Sequence, residues 1–151
     1  MPLMKYTTSV DIEKTIGEIE KLLAKAGATH IFKQFHDGVP VSVAFRLQLG
    51  KNNIAFKLPM REEKIVQVFK NAVSKRELPK RYWSDYDQAR RTGWRIIKDW
   101  LSAQIALLEI EMVKPTEIFL PYMYDERQDK TFYEIMEQRN FNLTLEDQSK
   151  S

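Results

Sequence analysis

The run from Val39 to Leu49 constrains the fold more than any other part of the sequence. Val39, Val41, Val43, Phe45, Leu47 and Leu49 alternate with Pro40, Ser42, Ala44, Arg46 and Gln48. Successive side chains of a strand point to opposite faces, so this period of two predicts a strand with one buried and one open face. Two turn signals flank it. His36-Asp37-Gly38 precedes it and Gly50-Lys51-Asn52-Asn53 follows it, residue types that accept positive φ or bond their own backbone. Shorter strands are expected on either side: one over residues 29–35, the other carrying Ile54, Phe56 and Leu58 inward and ending at Pro59. Connections this short predict an antiparallel meander.

Helical periodicity brackets the meander. Ile12, Ile16, Ile19 and Leu23 recur at helical spacing, which predicts a helix over residues 10–26. Thr8 or Ser9 is its expected cap and Gly27 its stop. A second helix is expected over residues 61–74, with Ile65, Val68, Phe69 and Ala72 inward. Past a polar connector holding Pro79, Ser84 is the expected cap of a long third helix reaching Met112, with residues 100–112 as its core-facing half. The stretch from Glu117 to Tyr124 is apolar, is interrupted by Pro121, and has no clear period. Residues 131–139 read as a short helix, and the alternation of Phe141, Leu143 and Leu145 as a last strand. The expected fold is α+β, in the order α-β-β-β-α-α, with an antiparallel meander and helices on one face. One domain over residues 1–146 and a frayed tail over 147–151 are expected.

Composition excludes several chemistries. The chain has no cysteine and only two histidines, His30 and His36, so a disulfide, a thiolate nucleophile and a cysteine zinc site are ruled out, and so is a His-rich metal site. No G-x-x-x-x-G-K-[ST] motif is present. There is no run of 18 apolar residues and no apolar leader, so a membrane partner is not expected and the cytoplasm is the expected setting. No catalytic residue, metal or cofactor is assigned.

Charge distribution supplies the leading functional expectation. Residues 57–98 hold twelve Lys and Arg against five Asp and Glu, a local +7, while the remainder holds twelve against sixteen, a local −4. A basic centre of this kind attracts polyanions. Arg76, Lys80, Arg81, Tyr82 and Trp83 cluster before the third helix, and Arg91, Arg95 and Lys98 recur along it with Trp94 beside them. Cations for phosphates together with flat rings for base stacking are the requirements of nucleic-acid binding. These nine residues are the expected nucleic-acid contacts; the competing reading is a solvated helix face with the aromatics pinned to the core. A homo-oligomer or protein partner is the alternative, met by the open face of the central strand or by the stretch from Glu117 to Tyr124.

Two family patterns fit only in part. The order of elements resembles the core of PD-(D/E)xK nucleases, which need an acid near the second strand and an acid-x-Lys triplet in the third. Asp37 and Lys57 approach two of these places, but Ala55 stands where the triplet needs its acid. Residues 10–74 also share the order of a double-stranded-RNA-binding domain, whose second helix starts with a lysine cluster. Arg61-Glu62-Glu63-Lys64 stands there instead, so no RNA contact carries over. Across its length the chain resembles a small family of phage, prophage and bacterial proteins without assigned chemistry. The resemblance rests on Tyr6-Thr7-Thr8, on Ala89-Arg90-Arg91 with Trp94-Arg95-Ile96-Ile97-Lys98-Asp99-Trp100, and on Phe119-Leu120-Pro121-Tyr122. It implies a setting in phage DNA metabolism or against host systems, and no site residue.

Overall fold

The structure is a computed structural model and describes residues 3–144. Its first half follows the meander pattern. Helix α1 (Ile12–Lys25) leads into strands β1 (Ala28–His36), β2 (Val39–Leu49) and β3 (Asn52–Lys57), which form an antiparallel sheet in the order β1-β2-β3. Gly27 lies at φ 98 just past α1, and Gly38 and Gly50 take positive φ in the two hairpin turns, where a side chain would add strain. Asp11, not Thr8 or Ser9, occupies the cap of α1; Thr8 Oγ1 instead accepts from the Val10 N–H.

On β2 the alternation holds through Val43, Phe45 and Leu47, all buried, and breaks near the start, where Pro40 is buried and Val41 only half-buried. The register with β1 shifts between Gln34 and Phe35. The extra residue turns Pro40 inward, while Val39 still packs at the edge of the core.

Helix α2 (Glu62–Ser74) follows, then a short 3₁₀ turn (Lys80–Trp83) and helix α3 (Tyr86–Glu109). Phe69 and Ala72 of α2 are buried, whereas Val68 faces outward and Val66 packs inward in its place. The Asp85 side chain, not Ser84, caps α3 by accepting from the Gln88 N–H at 3.0 Å. The expected core-facing half of α3 is buried at Leu101 and Ile105, but burial extends through the first half as well and stops short of residue 110. Ala89, Thr92, Gly93, Trp94, Leu101 and Ile105 are buried, while Ile110 and Met112, past its end, are among the most exposed apolar residues.

The stretch without a sequence period folds as helix α4 (Pro115–Phe119), a 3₁₀ turn (Leu120–Tyr122) and a two-stranded hairpin of β4 (Tyr124–Asp125) and β5 (Lys130–Thr131). Met123 bridges Phe56 and so docks this hairpin beside β3. Helix α5 (Phe132–Gln138) starts in a capping box between Thr131 and Glu134. The expected last strand is absent from residues 141–144. Asn140 and Phe141 take positive φ, and the Phe141 N–H returns to the Met136 carbonyl at 2.7 Å, a helix-ending turn. Leu145 and the expected tail lie outside the described residues.

The main core joins α1, the covered face of the sheet, α3 and α4. Phe119 fixes the C-terminal segment to it, 5.0 Å edge-on from Phe45, 5.9 Å from Phe56 and 6.4 Å from Trp100 between ring centroids. A second, smaller cluster holds Phe69, Tyr82 and Ala89 between α2, the 3₁₀ turn and α3. Because Phe119 is fully buried among these rings, Phe119→Ala is expected to cost about 3–5 kcal/mol. Urea unfolding of the variant checks this; a loss under about 1 kcal/mol would show that residues 115–141 are an appendage rather than part of the core.

Candidate functional site

The corner between α2 and α3 is built by burying one ring. Lys75 ends α2, Arg76 turns to φ 59, and the Glu77 N–H closes on the Ala72 carbonyl at 2.8 Å. Pro79 then starts the 3₁₀ turn. Tyr82 is buried edge-on against Phe69 at 5.3 Å and lies 6.1 Å from Tyr6. A turn this short that buries Tyr82 leaves its neighbours outside: Lys80, Arg81 and Trp83 are exposed, as are Lys75 and Arg76. Lys70 on α2 sets its ammonium 5.4 Å from the Trp83 ring centroid, and the Arg81 guanidinium lies 5.2 Å from that of Tyr82. No ion pair among the described residues engages Lys70, Lys75, Arg76, Lys80 or Arg81. Glu77, the acid of this segment, has an interaction of its own.

The basic stripe of α3 is in a different state. The Arg95 guanidinium donates to Glu18 on α1 at 2.5 Å, with both side chains largely covered. Arg91 donates twice to the Gln88 side-chain oxygen, at 3.1 and 2.7 Å, while the Gln88 amide donates to the carbonyls of Tyr6 and Thr8. Lys98 lies 3.7 Å from Asp99, which also meets Lys5 at 3.4 Å. Arg90 pairs with Glu62 at 2.7 Å and Asp87 at 3.5 Å. The Glu62 hydrogen bond, against some desolvation, holds the Arg90 guanidinium above its ordinary value. Trp94 is fully buried, so its ring offers no face to a base.

The nine expected contact residues therefore separate into three groups. Arg76, Lys80, Arg81 and Trp83 share the outward corner; Arg95 ties α3 to α1, while Arg91 and Lys98 meet Gln88 and Asp99, the α3 residues that contact the N-terminal segment; Tyr82 and Trp94 are core. Lys70 joins the corner although thirteen positions separate it from Trp83, so only the packing of α2 on the 3₁₀ turn brings it there. A sequence signal for the second group did exist. At about 100° per residue, Lys98 and Arg91 lie only about 40° and 60° around the helix from Trp94, at the rim of the stripe that Trp94 shares with Leu101 and Ile105.

The other candidates are placed as follows. His36 lies 3.4 Å from Asp37 at an open hairpin tip, and the His30 ring contacts Thr29 Oγ1 at 3.0 Å. Ala55 pairs with Arg46 in the sheet, so no carboxylate stands beside Lys57 at the nuclease position. Among the described residues no group of three His, Asp or Glu side chains could hold a metal ion, and no helix is long and apolar enough to cross a membrane. On the open face of β2, Arg46 pairs with Glu126 of the hairpin at 2.6 Å. In the stretch from Glu117 to Tyr124, Ile118 and Phe119 are buried and serve the core.

Comparison with protein-family models, with curated proteins and with solved structures gives no match to this chain.

The Glu18–Arg95 pair has a measurable consequence. A largely covered, charge-assisted bond between helices is expected to contribute about 1–2 kcal/mol of coupling. A double-mutant cycle of Glu18→Ala and Arg95→Ala in urea unfolding reads it directly. Coupling near zero would mean that Arg95 is held loosely enough to serve a ligand.

Proposed function

We propose that this protein binds single-stranded nucleic acid, without catalysis, through the corner between α2 and α3. The supporting observation is the half-exposed Trp83 ring, 47% accessible, with Lys70 at 5.4 Å and Lys80 and Arg81 on the same turn, and with Lys75 and Arg76 exposed earlier in the corner, none of these cations ion-paired among the described residues. An unpaired cation loses less than a paired one when it takes a phosphate, because no internal bond has to break. A ring fixed by a buried neighbour is a stacking platform with little entropy left to lose. This reading moves the contact surface away from α3, whose arginines already have partners. A cytoplasmic setting in phage or prophage DNA metabolism belongs to the same proposal.

Fluorescence anisotropy with a labelled single-stranded oligonucleotide tests it. Lys80→Glu/Arg81→Glu should abolish binding, and Trp83→Ala should weaken it by roughly ten-fold or more, as expected for about 1–3 kcal/mol of stacking. Four phosphate contacts imply a loss of roughly 50-fold between 50 and 200 mM salt. Affinity that ignores both salt and Lys80→Glu/Arg81→Glu overturns the reading.

A second reading rests on β1. This strand ends the sheet, and Phe32 and Phe35 on it are about half exposed. Such an edge is a template for pairing with another strand. Two copies joined antiparallel about Phe32 would extend the sheet and keep the helices of both copies on one side. Because the chain has no cysteine, Phe32→Cys gives a clean readout: a disulfide dimer on mild oxidation supports the pairing, and a monomer by light scattering at high concentration removes it.

A further inference from the structure

Between the end of the sheet and the C-terminal elements lies a cavity of about 300 Å³, lined by Lys57, Leu58, Pro59, Met60, Arg61, Pro121, Tyr122, Thr131, Tyr133 and Glu134. Its lining combines two features. Leu58, Pro59, Met60 and Pro121 supply apolar atoms and Tyr122 and Tyr133 aromatic rings, beside a polar share of about equal extent. The other feature is charge. Lys57 and Arg61 both line it, and neither takes part in an ion pair among the described residues. Lys57 only rests its ammonium 5.5 Å from the Tyr124 ring centroid.

The single lining acid, Glu134, forms no ion pair with either of them among the described residues, so the lining keeps a formal charge of +1. Glu134 Oε1 accepts from the Thr131 N–H at 3.2 Å and from its hydroxyl at 3.1 Å, holding the start of α5. The Tyr133 phenol is raised above its ordinary value by its hydrogen bond to Glu137, with Arg61 acting in the opposite sense, so it stays neutral and adds no charge at pH 7. The walls are held by well-anchored parts of the chain. Leu58 is buried and its N–H bonds the Val43 carbonyl at 3.0 Å. Tyr122 packs edge-on to Trp100 at 5.7 Å, and the Phe132 N–H bonds the Met123 carbonyl at 2.7 Å.

From this arrangement we infer that the cavity is a binding site for a small organic anion, one with a flat apolar body and a single phosphate or carboxylate group. The body would lie between Tyr122 and Tyr133 on the apolar surface, and the anionic group would meet Lys57 and Arg61. Ligand sites are mostly apolar with a few convergent polar groups, and about 300 Å³ is the lower end of their range, which limits the body to one or two rings. Two cations with no ion pair among the described residues, beside apolar and aromatic side chains, complement such a molecule better than they complement a neutral ligand or an inorganic ion. The site is separate in sequence and in lining from the corner around Trp83, so each can fail without the other.

The test uses the full chain, ¹⁵N-labelled, titrated with 1-naphthyl phosphate, with 1-naphthol for the ring alone and inorganic phosphate for the charge alone. Expected is saturable movement of the amide signals of Lys57, Leu58, Met60, Arg61 and Tyr122 with 1-naphthyl phosphate at sub-millimolar concentration, and at least ten-fold weaker effects from the other two probes. Lys57→Gln/Arg61→Gln should weaken binding ten-fold or more, whereas Lys80→Gln/Arg81→Gln should leave it unchanged. A matching amide spectrum away from the cavity shows that each variant is folded. A neutral or carboxylate counterpart sorts the source of recognition: 1-naphthoate binding as well as the phosphate keeps the anion site and widens its headgroup. Equal binding of 1-naphthol, no shifts at the cavity up to several millimolar, or binding that survives Lys57→Gln/Arg61→Gln overturns the proposal.

Discussion

The ring cluster of Phe45, Phe56 and Phe119 is the contact on which the rest of the structure depends. Phe45 and Phe56 are directly opposed on β2 and β3 and stack at 5.4 Å, and the edge of Phe119 closes over Phe45. Aromatic pairs in these orientations add to simple area burial. The consequence is architectural. A three-stranded sheet with three helices would leave its end open, and Phe119 attaches a further thirty or so residues there. The hairpin, α5 and the lined cavity all hang from that attachment.

A similar constraint sets where the positive charge goes. Trp94, fully buried, fixes the rotation of α3 about its axis. Once that ring points inward, Arg91, Arg95 and Lys98 stand at the margin of the buried face, close to α1 and the N-terminal segment. Long cationic side chains at such a margin lay their stems over apolar surface and reach for nearby acceptors, here Glu18, the Gln88 side chain and Asp99. The excess of cations in the middle of the chain is thus divided: part holds helices together and part stays outside at the 3₁₀ turn. Net charge along the sequence does not distinguish these fates, because both involve the same residue types a few positions apart.

The meander, the three main helices and their order were legible because each is dictated by short-range pattern: period two in β2, period 3.6 in α1, and turn residues between. What escaped was decided at long range or by single extra residues. The bulge near Val41 reverses the facing of Pro40; a proline in a central strand is itself a bulge signal, but the alternation reads straight through it. The strand expected at Phe141 gives way to a turn, since alternation over so few residues is a weak signal beside the helix-ending bond to Met136. At the corner, Arg76, Lys80, Arg81 and Trp83 were legible as a cluster, but Lys70 was not; of the two rings that could either stack on a base or pin the loop to the core, Tyr82 is the pin and Trp83 is exposed. The cavity was not legible at all. Lys57 and Arg61 come from the end of the sheet and Tyr122 and Tyr133 from elements sixty to seventy positions later, so only the Phe119 attachment brings them to one place.

Unpaired charge is the common thread of both proposed surfaces. A folded chain ordinarily gives a half-buried cation a carboxylate or carbonyl, as it does for Arg46, Arg90 and Arg95. Acids are not scarce here: the chain holds 21 of them against 24 cations. Acids also stand within a few positions of each cation in question: Glu62 and Glu63 next to Arg61, Glu77 next to Arg76. Yet Glu62 turns to Arg90 and Glu134 to the cap of α5, and among the described residues no ion pair joins an acid to the cations of the corner and cavity. Solvent satisfies a surface cation at little cost, so an unpaired lysine alone means little. Grouped around an exposed, anchored tryptophan, or along a cavity lined in part by apolar and aromatic side chains, the same lysines and arginines place positive charge beside rings and apolar atoms. An anion that also brings a ring answers both conditions at once, a polymer of them at the corner and a single small one in the cavity.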